Sequence, residues 1–380
     1  MPVTEMNTPS RPSSVLPFPP SFPSELIGSV PSIPLLSLAC PNVAALPVSQ
    51  RSKAESLLTL MQQALQEQQI EDFNEAKKAL VCYFKKQGAP ITQWQPLVLQ
   101  LNHQDVLKEA DLGSINLEMT HLQATNGKGV CLTGANLQNG AFLCANFSHT
   151  DFTEADLSGA DLRFADLSET SLERATLVDA NLSNAKLSFA DLTEANLYSA
   201  NLNGVVAKQA RFTGANLRKA DMRHGDFYQT DLMAARLQQA DLREANLFMA
   251  DLSTAKLRQA DLRQANLGFC RLYDVRLQSA RLTGINLNNA DLTQADLREC
   301  CLQGALLSRA VLRGTNLSGT ELLDVDLSEC SELDLAKLEQ ATYNNKTLFP
   351  KGFKAKKHGL IIQSCTGLRR LSQMLSAMLG

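Results

Sequence analysis

The pentapeptides Ala155-Asp156-Leu157-Ser158-Gly159 and Ala240-Asp241-Leu242-Arg243-Glu244 show the unit that decides the fold of this 380-residue chain. From residue 112 to residue 327 one position recurs every five residues without insertion. Of its 44 occurrences, 42 are Leu, Phe or Met, and the exceptions are Gly127 and Ala207. The residue two places earlier is Ala in 27 cases, and the residue directly before is Asp or Asn in 27.

A period of five matches neither the 3.6-residue period of a helix nor the two-residue period of a strand. Fixed self-similarity over about 220 residues predicts a solenoid, in which each unit buries its apolar side against its neighbours. We expect the Leu and the small residue to point inward. Asp and Asn suit the tight turns that such a unit needs, because their side chains bond nearby backbone groups.

The A-(D/N)-L-x-x array resembles the pentapeptide-repeat family. This resemblance implies an all-β solenoid, a right-handed quadrilateral parallel β-helix with 20 residues per coil and about 11 coils in total. The spacing of Gly127 and Ala207 agrees with such a coil, since it puts both on one face. Residues 341–353 are similar to a closing segment that follows many such arrays.

The composition changes along the chain and predicts five regions. Residues 1–50 hold eleven of the 14 prolines, which predicts a disordered arm. Residues 51–107 form a helical N-terminal cap region, because apolar residues recur there at helical spacing. The array occupies 108–330, and 331–353 form a C-terminal cap. Residues 354–380 are predicted to form a basic amphipathic helical tail, so that α-helical segments flank the solenoid on both sides.

Several function classes are disfavoured by the sequence. The net charge of −3 disfavours direct nucleic-acid binding, and no apolar run reaches the roughly 20 residues of a membrane-spanning helix. The nine cysteines include no C-x-x-C pair. Phosphate-loop, zinc-protease and nucleophile-elbow motifs are missing, and the five histidines are scattered. We therefore expect no enzyme, no cofactor and no metal.

Basic residues recur on one face of the expected solenoid. They are predicted to form a strip for an acidic partner, whether protein, phospholipid headgroup or nucleic acid. The alternative is that these cations pair with the ladder formed by Asp221, Asp241 and Asp261. The strip consists of Arg218, Lys219, Arg236, Lys256, Arg258, Arg276 and Arg298, and Arg223, Arg243 and Arg263 follow on the next face.

A second candidate surface is apolar and lies on a third face. A contiguous exposed aromatic group is typical of a partner site, and the alternative is that a flanking segment of this chain covers it. Its predicted members are Phe189, Tyr228, Phe248, Met249 and Phe269.

The tail gives a third candidate surface, for an anionic membrane, a partner or a second copy of the chain in a homodimer. Its predicted contact residues are Lys356, Lys357, Leu368, Arg369, Arg370 and Leu375.

These features predict a non-enzymatic scaffold for protein–protein interaction. The resemblance implies a bacterial source. The disordered arm, the rod and the tail, without a conventional export signal, would suit an effector that is delivered into host cells. The alternative expectation is that the protein stays in the cytoplasm. Some members of the family are DNA mimics that bind DNA gyrase, which is the alternative function. The acidic half of the array supports it, because residues 108–205 carry 5 basic and 13 acidic side chains.

Overall fold

The structure is a computed structural model that describes residues 127–363 without a gap. It also describes two short strands, β1 (Ser37–Leu38) and β2 (Leu97–Val98), which pair antiparallel. Further described residues between 51 and 79 are helical: 51–53, 56–57, 59–60, 63–64, Asp72, 75–76 and Ala79.

The repeat array forms a parallel β-helix with a 20-residue coil. Parallel bridges join each Asp or Asn position to the residue 20 places later, from Cys131↔Asp151 to Val311↔Ser331. The Leu157 N–H donates to the carbonyl of Thr176 at 2.7 Å, and the Asp156 N–H donates to the carbonyl of Ala135 at 2.9 Å. Each unit therefore bonds to the coil on either side. The predicted 20-residue period is confirmed, whereas residues 108–126, and with them the count of eleven coils, lie outside the described range.

The core of the solenoid is the column of large and small apolar side chains that the repeat supplies. Leu157, Leu242 and Leu297 have no solvent exposure, and neither has Ala155. Burial of each leucine contributes on the order of 1.5–3 kcal/mol. The prediction that every fifth side chain points inward is confirmed for the described coils.

The corners of the coil are tight turns with a left-handed residue. In the turn that follows Leu132, the Ala135 N–H donates to the carbonyl of Leu132 at 3.0 Å, and Gly134 has φ 62°. Non-glycine residues take the same conformation elsewhere, as Asn139 does with φ 54°. The Asp or Asn before the leucine stabilises the turn: the Ser158 N–H donates to Asp156 Oδ1 at 3.0 Å. This is the role predicted for that position.

The two irregular positions are explained by the aromatic ring one coil later. A Cβ on Gly127 would lie 2.6 Å from Cδ1 of Phe147, which is far inside van der Waals contact. Ala207 occupies the equivalent place 20 residues before Phe227, and both side chains are fully buried. Because a phenyl ring is larger than a leucine side chain, the small residue at position 127 or 207 leaves space for the ring of Phe147 or Phe227 on the next coil.

The β-helix continues beyond residue 330, the boundary that the sequence suggested. Further bridges join Asn316 to Lys337, Glu321 to Thr342 and Asp326 to Leu348. The coil lengthens there, because a 3-10 helix (Leu333–Leu335) is inserted before strand β3 (Thr342–Tyr343). Tyr343 at the end of β3 contacts Phe349 edge-on, Phe349 is stacked on Phe353, and all three pack against the core cluster.

The prediction of a helical tail that begins at residue 354 is wrong for residues 354–363. These residues form a 3-10 helix (Ala355–His358) and strand β4 (Ile361–Ile362), which pairs parallel with β3. Gly359, with φ 76°, ends the helix, and the Ile361 N–H then donates to the carbonyl of Ala341 at 2.8 Å. β-Branched residues after a glycine favour a strand over a helix.

The N-terminal flank is described only in part. The described residues among 51–79 are helical, and Leu57 packs against the core cluster. A helix over the rest of that segment stays a prediction. The predicted disordered arm does not hold at Ser37 and Leu38, which form β1 between Pro34 and Pro41 and keep their N–H groups.

Candidate partner-binding surface

The two sets of basic side chains on neighbouring faces have different surroundings. Arg223, Arg243 and Arg263, here the paired column, each bind the aspartate two residues earlier. The Arg223 guanidinium donates to both oxygens of Asp221, at 2.8 and 2.6 Å. Arg243 binds Asp241 and Arg263 binds Asp261 in the same bidentate way. In both pairs Nη2 of the arginine lies 2.6 Å from Oδ2 of the aspartate. For the paired column the Asp-ladder alternative is therefore the observed arrangement.

Arg236, Lys256 and Arg276, here the unpaired column, have no such partner. Parallel bridges place them on three consecutive coils, Arg236↔Lys256 and Lys256↔Arg276. Within residues 127–363, no carboxylate oxygen lies within 4.0 Å of their charged nitrogens. Rungs of a parallel ladder are about 4.8 Å apart, so three like charges are stacked, and the carboxylate on the rung after Arg276, that of Asp296, is bound by Arg298 instead.

A second column lies beside the unpaired column, and in it arginine and glutamine alternate from coil to coil. This alternating column consists of Arg218, Gln238, Arg258, Gln278 and Arg298. Arg298 is paired with Asp296 at 2.8 Å, and Gln278 Nε2 also donates to Asp296. The two glutamines are not among the predicted residues, although the 20-residue period would have placed them between the arginines.

The remaining basic residue of the strip, Lys219, lies with Arg218 over the ring of Tyr198. Each of the two cationic groups is 5.5 Å from the ring centroid. Such cation–π contacts hold both charges beside a half-buried ring. These two residues are thus engaged within the chain.

Two open grooves run on either side of the unpaired column. The first has a volume of about 600 Å³, and Glu194 and Asp274 are among its lining residues. The second has about 550 Å³ and lies between the unpaired and the alternating columns. Four cations and one carboxylate line this second groove, together with three neutral polar side chains: Lys256, Arg258, Arg276, Arg298, Glu299, Gln238, Gln278 and Ser279.

Four of the five predicted aromatic-surface residues lie together. The ring of Tyr228 is stacked on Phe248 with 6.3 Å between centroids, and Phe248 contacts Phe269 at 5.3 Å. Met249 lies beside them, with its Sδ 3.8 Å from the Tyr228 hydroxyl. Phe189 is exposed but stands apart, because Gln209 and Gln229 separate it from Met249 in its column.

The tail residues lie at the C-terminal end. Lys356 and Lys357 are exposed in the 3-10 helix. Leu368, Arg369, Arg370 and Leu375 lie outside the described residues.

Hydrogen bonds from the arginine side chains and from the backbone amides of the turns lower the pKa of several aspartates. Although partial burial opposes ionisation, bonds from the Arg263 side chain and backbone hold the pKa of Asp261 below its usual range. The same opposing effects lower the pKa of Asp221 and Asp296. These carboxylates are therefore turn-forming acceptors whose charge is stabilised inside the chain.

Within the part of the chain that the structure describes, no group of three or more His, Cys, Asp and Glu side chains could hold a metal ion. No helix among those residues is long and apolar enough to cross a membrane.

The repeated five-residue corner, the buried leucine column and the 20-residue rungs define a quadrilateral β-solenoid whose polar groups lie on its outside. Among known families, the one described as "Pentapeptide repeats" matches eight copies, in residues 142–177, 175–214, 210–247, 270–309 and 305–342. The chain belongs to the pentapeptide repeat family, whose fold is the right-handed quadrilateral β-helix.

Solved structures of the same family are similar to this chain. HetL, a pentapeptide repeat protein involved in heterocyst differentiation regulation from the cyanobacterium Nostoc sp. strain PCC 7120, is 38% identical; the match covers 53% of this chain and 88% of HetL, with a TM-score of 0.42. The Nostoc protein alr5209 is 34% identical over 36% of this chain and 84% of its own, with a TM-score of 0.16. A trypsin-treated variant of QnrB1, a plasmid-mediated fluoroquinolone resistance protein, is 17% identical; the match covers 59% of this chain and 95% of the QnrB1 chain, with a TM-score of 0.28. No curated protein matches this chain.

Proposed function

We propose that this chain is a non-enzymatic scaffold that binds a protein partner on the outside of its β-helix. The repeat sends its apolar residues into the core, so recognition depends on the exterior. The single observation that carries the proposal is the unpaired column. Three stacked cations without carboxylate partners raise the free energy of the isolated protein, and an acidic partner surface lowers it.

Affinity capture with the intact chain tests this proposal. We expect a specific partner to bind the wild type and to be lost from a variant with Arg236→Glu, Lys256→Glu and Arg276→Glu. A control with Gln209→Glu and Gln229→Glu adds acidic charge in a different exposed column and should retain the partner. Capture of the same proteins by all three chains would contradict a role for the unpaired column.

A second candidate function is mimicry of DNA towards gyrase, which the acidic excess of residues 108–205 favours. In the coils that follow, arginines neutralise much of the acidic surface, as the paired column shows. A supercoiling assay with DNA gyrase tests this function. Inhibition at micromolar protein supports DNA mimicry, and unchanged supercoiling rejects it.

The membrane contact, the homodimer and delivery to a host cell remain proposals. Exposed Lys356 and Lys357 support the membrane contact, because anionic headgroups attract clustered lysines. Liposome flotation that persists after deletion of residues 364–380 and disappears with Lys356→Gln and Lys357→Gln would assign the contact to these lysines. Sedimentation at several concentrations tests the homodimer. Retention of tagged protein in the bacterial cytosol under secretion-competent conditions would count against delivery.

A further inference from the structure

We propose that the groove between the unpaired and alternating columns binds an extended acidic peptide segment of the protein partner, aligned with the axis of the β-helix. This inference rests on the proposed function and names the chemistry of the partner. It concerns one of the two basic faces only, because the other is already neutralised by its aspartates.

Charge selects this groove over the groove on the other side of the unpaired column. Lys256, Arg258, Arg276 and Arg298 line it, and Glu299 is its only carboxylate lining residue among those described. Glu299 accepts a hydrogen bond from Ser279 at 3.1 Å and so has a partner already. Of the four cations only Arg298 forms an ion pair among the described residues. Three positive charges are therefore available for carboxylates of a partner.

The width of the basic surface favours a narrow chain over a broad polyanion. Glu194 and Asp274 lie in the groove on one side of the unpaired column, and Glu299 lies on the other. A DNA duplex or a membrane plane that contacted the cations would also approach these carboxylates and be repelled. A single extended peptide in the second groove contacts the cations without covering Glu194 and Asp274, and of the three carboxylates it approaches only Glu299.

The neutral side chains of the groove match a peptide backbone. Gln238 and Gln278 alternate with the arginines, and an amide side chain both donates to a carbonyl and accepts from an N–H. Gln238 Oε1 accepts no hydrogen bond from the described residues, but it is buried, so the side chain must rotate before a peptide N–H can reach it. A peptide supplies N–H donors and carbonyl acceptors for the two amides together with carboxylates for the cations, whereas a phosphate at neutral pH supplies acceptors.

The length of the groove sets the length of the segment. From Gln238 to Arg298 there are three rungs, which at about 4.8 Å each give about 14 Å. An extended chain advances about 3.3 Å per residue, so four or five residues span the groove. Acidic residues at alternate positions then face the long, adaptable cationic side chains.

Fluorescence anisotropy with the full-length chain tests the proposal, with a labelled peptide of six glutamates as the probe and a peptide of six glutamines as its control. At about 50 mM salt the glutamate peptide should bind and the glutamine peptide should not. Replacement of the unpaired column by Arg236→Gln, Lys256→Gln and Arg276→Gln should weaken binding about tenfold or more. The matched variant Arg223→Gln, Arg243→Gln and Arg263→Gln removes the same charge from the neighbouring face and should change affinity by about twofold at most. Circular dichroism confirms that each variant is folded.

Equal losses in the two variants would overturn the proposal, because they would indicate unspecific attraction to positive charge. Tighter binding of single-stranded DNA, or of phosphatidylserine vesicles, than of the glutamate peptide would also overturn it. Failure of the peptide to bind, while partner capture still depends on the unpaired column, rejects the acidic segment and leaves the scaffold function standing. Peptide binding without any captured partner rejects the scaffold function instead.

Discussion

Replacement of Gly225 by alanine places a methyl group against the buried ring of Phe227, and the result tests how the core is packed. A Cβ on Gly225 would lie 3.0 Å from Cζ of Phe227, still closer to its Cε2, and 3.2 Å from the carbonyl of Met222. Ordinary carbon contacts are about 3.5–4.0 Å, so relief of the closest contact, that with Cε2, requires the ring to retreat by roughly 1–1.5 Å. It cannot move freely, because Phe227 is fully buried and lies 6.2 Å from the ring of Phe212. Overpacking of this kind costs about 1–3 kcal/mol.

The measurement is a double-mutant cycle in urea. Gly225→Ala should lower the unfolding free energy by about 1–3 kcal/mol, and Phe227→Leu should lower it by a similar amount through lost contacts. The double variant should be more stable than the sum of both effects predicts, by about 1 kcal/mol or more, since leucine leaves room for the methyl group. Phe152→Leu makes the same chemical change in another coil and should give no coupling with Gly225→Ala. Strict additivity in the Phe227 cycle would refute the reasoning, because the ring would then not fill the space beside Gly225.

Three further predictions concern the core, the thiols and the aspartate ladder. Leu242→Ala should lower the unfolding free energy by about 2–5 kcal/mol in urea denaturation; a loss below about 1 kcal/mol would contradict full burial of that side chain. Burial raises the pKa of the Cys270 and Cys300 thiols to about 12, so mass spectrometry after brief alkylation at pH 8 should find both unmodified in native protein, and both modified in urea. The pKa of Asp261 is lowered in the folded protein, so its stabilising effect is complete above about pH 4 and is lost as the pH falls through the lowered value. Asp261→Asn keeps the turn acceptor without the charge, and its melting temperature should fall less than that of the wild type between pH 5 and pH 2.5; parallel curves would disprove the contribution of the ion pair with Arg263.

The sequence offered pairing with the aspartate ladder as an alternative for the basic residues, and only the structure shows which of them are paired. Both basic columns follow from the 20-residue period, and in sequence they look alike. Arg243 lies two residues after Asp241 in its own unit, with the geometry to bind both carboxylate oxygens. Arg236 instead occupies the rung position itself, where its neighbours on adjoining coils are Asn216 and Lys256. The direction of each side chain and the identity of the residue on the next coil decide which cations remain available.

The C-terminal end shows a second limit. The amphipathic pattern of residues 354–380 predicts a helix, because a local pattern takes no account of an open sheet edge nearby. The exposed rung at β3 offers unpaired backbone groups, and satisfying them outweighs the helical preference of this segment. Gly359 is the residue in the sequence that could have indicated the break.

By itself the sequence determined the solenoid, its five-residue unit, its inward leucines and the turn role of Asp and Asn, because these follow from a strictly periodic pattern that each unit satisfies in the same way. The 20-residue coil was implied by the family resemblance. Only the tertiary structure decided which residues compensate Gly127 and Ala207, where the ladder ends and which cations lack partners. These depend on contacts between coils, where residues 20 or more apart share space and charge. Such contacts are set by side-chain size and direction, which periodicity alone does not fix.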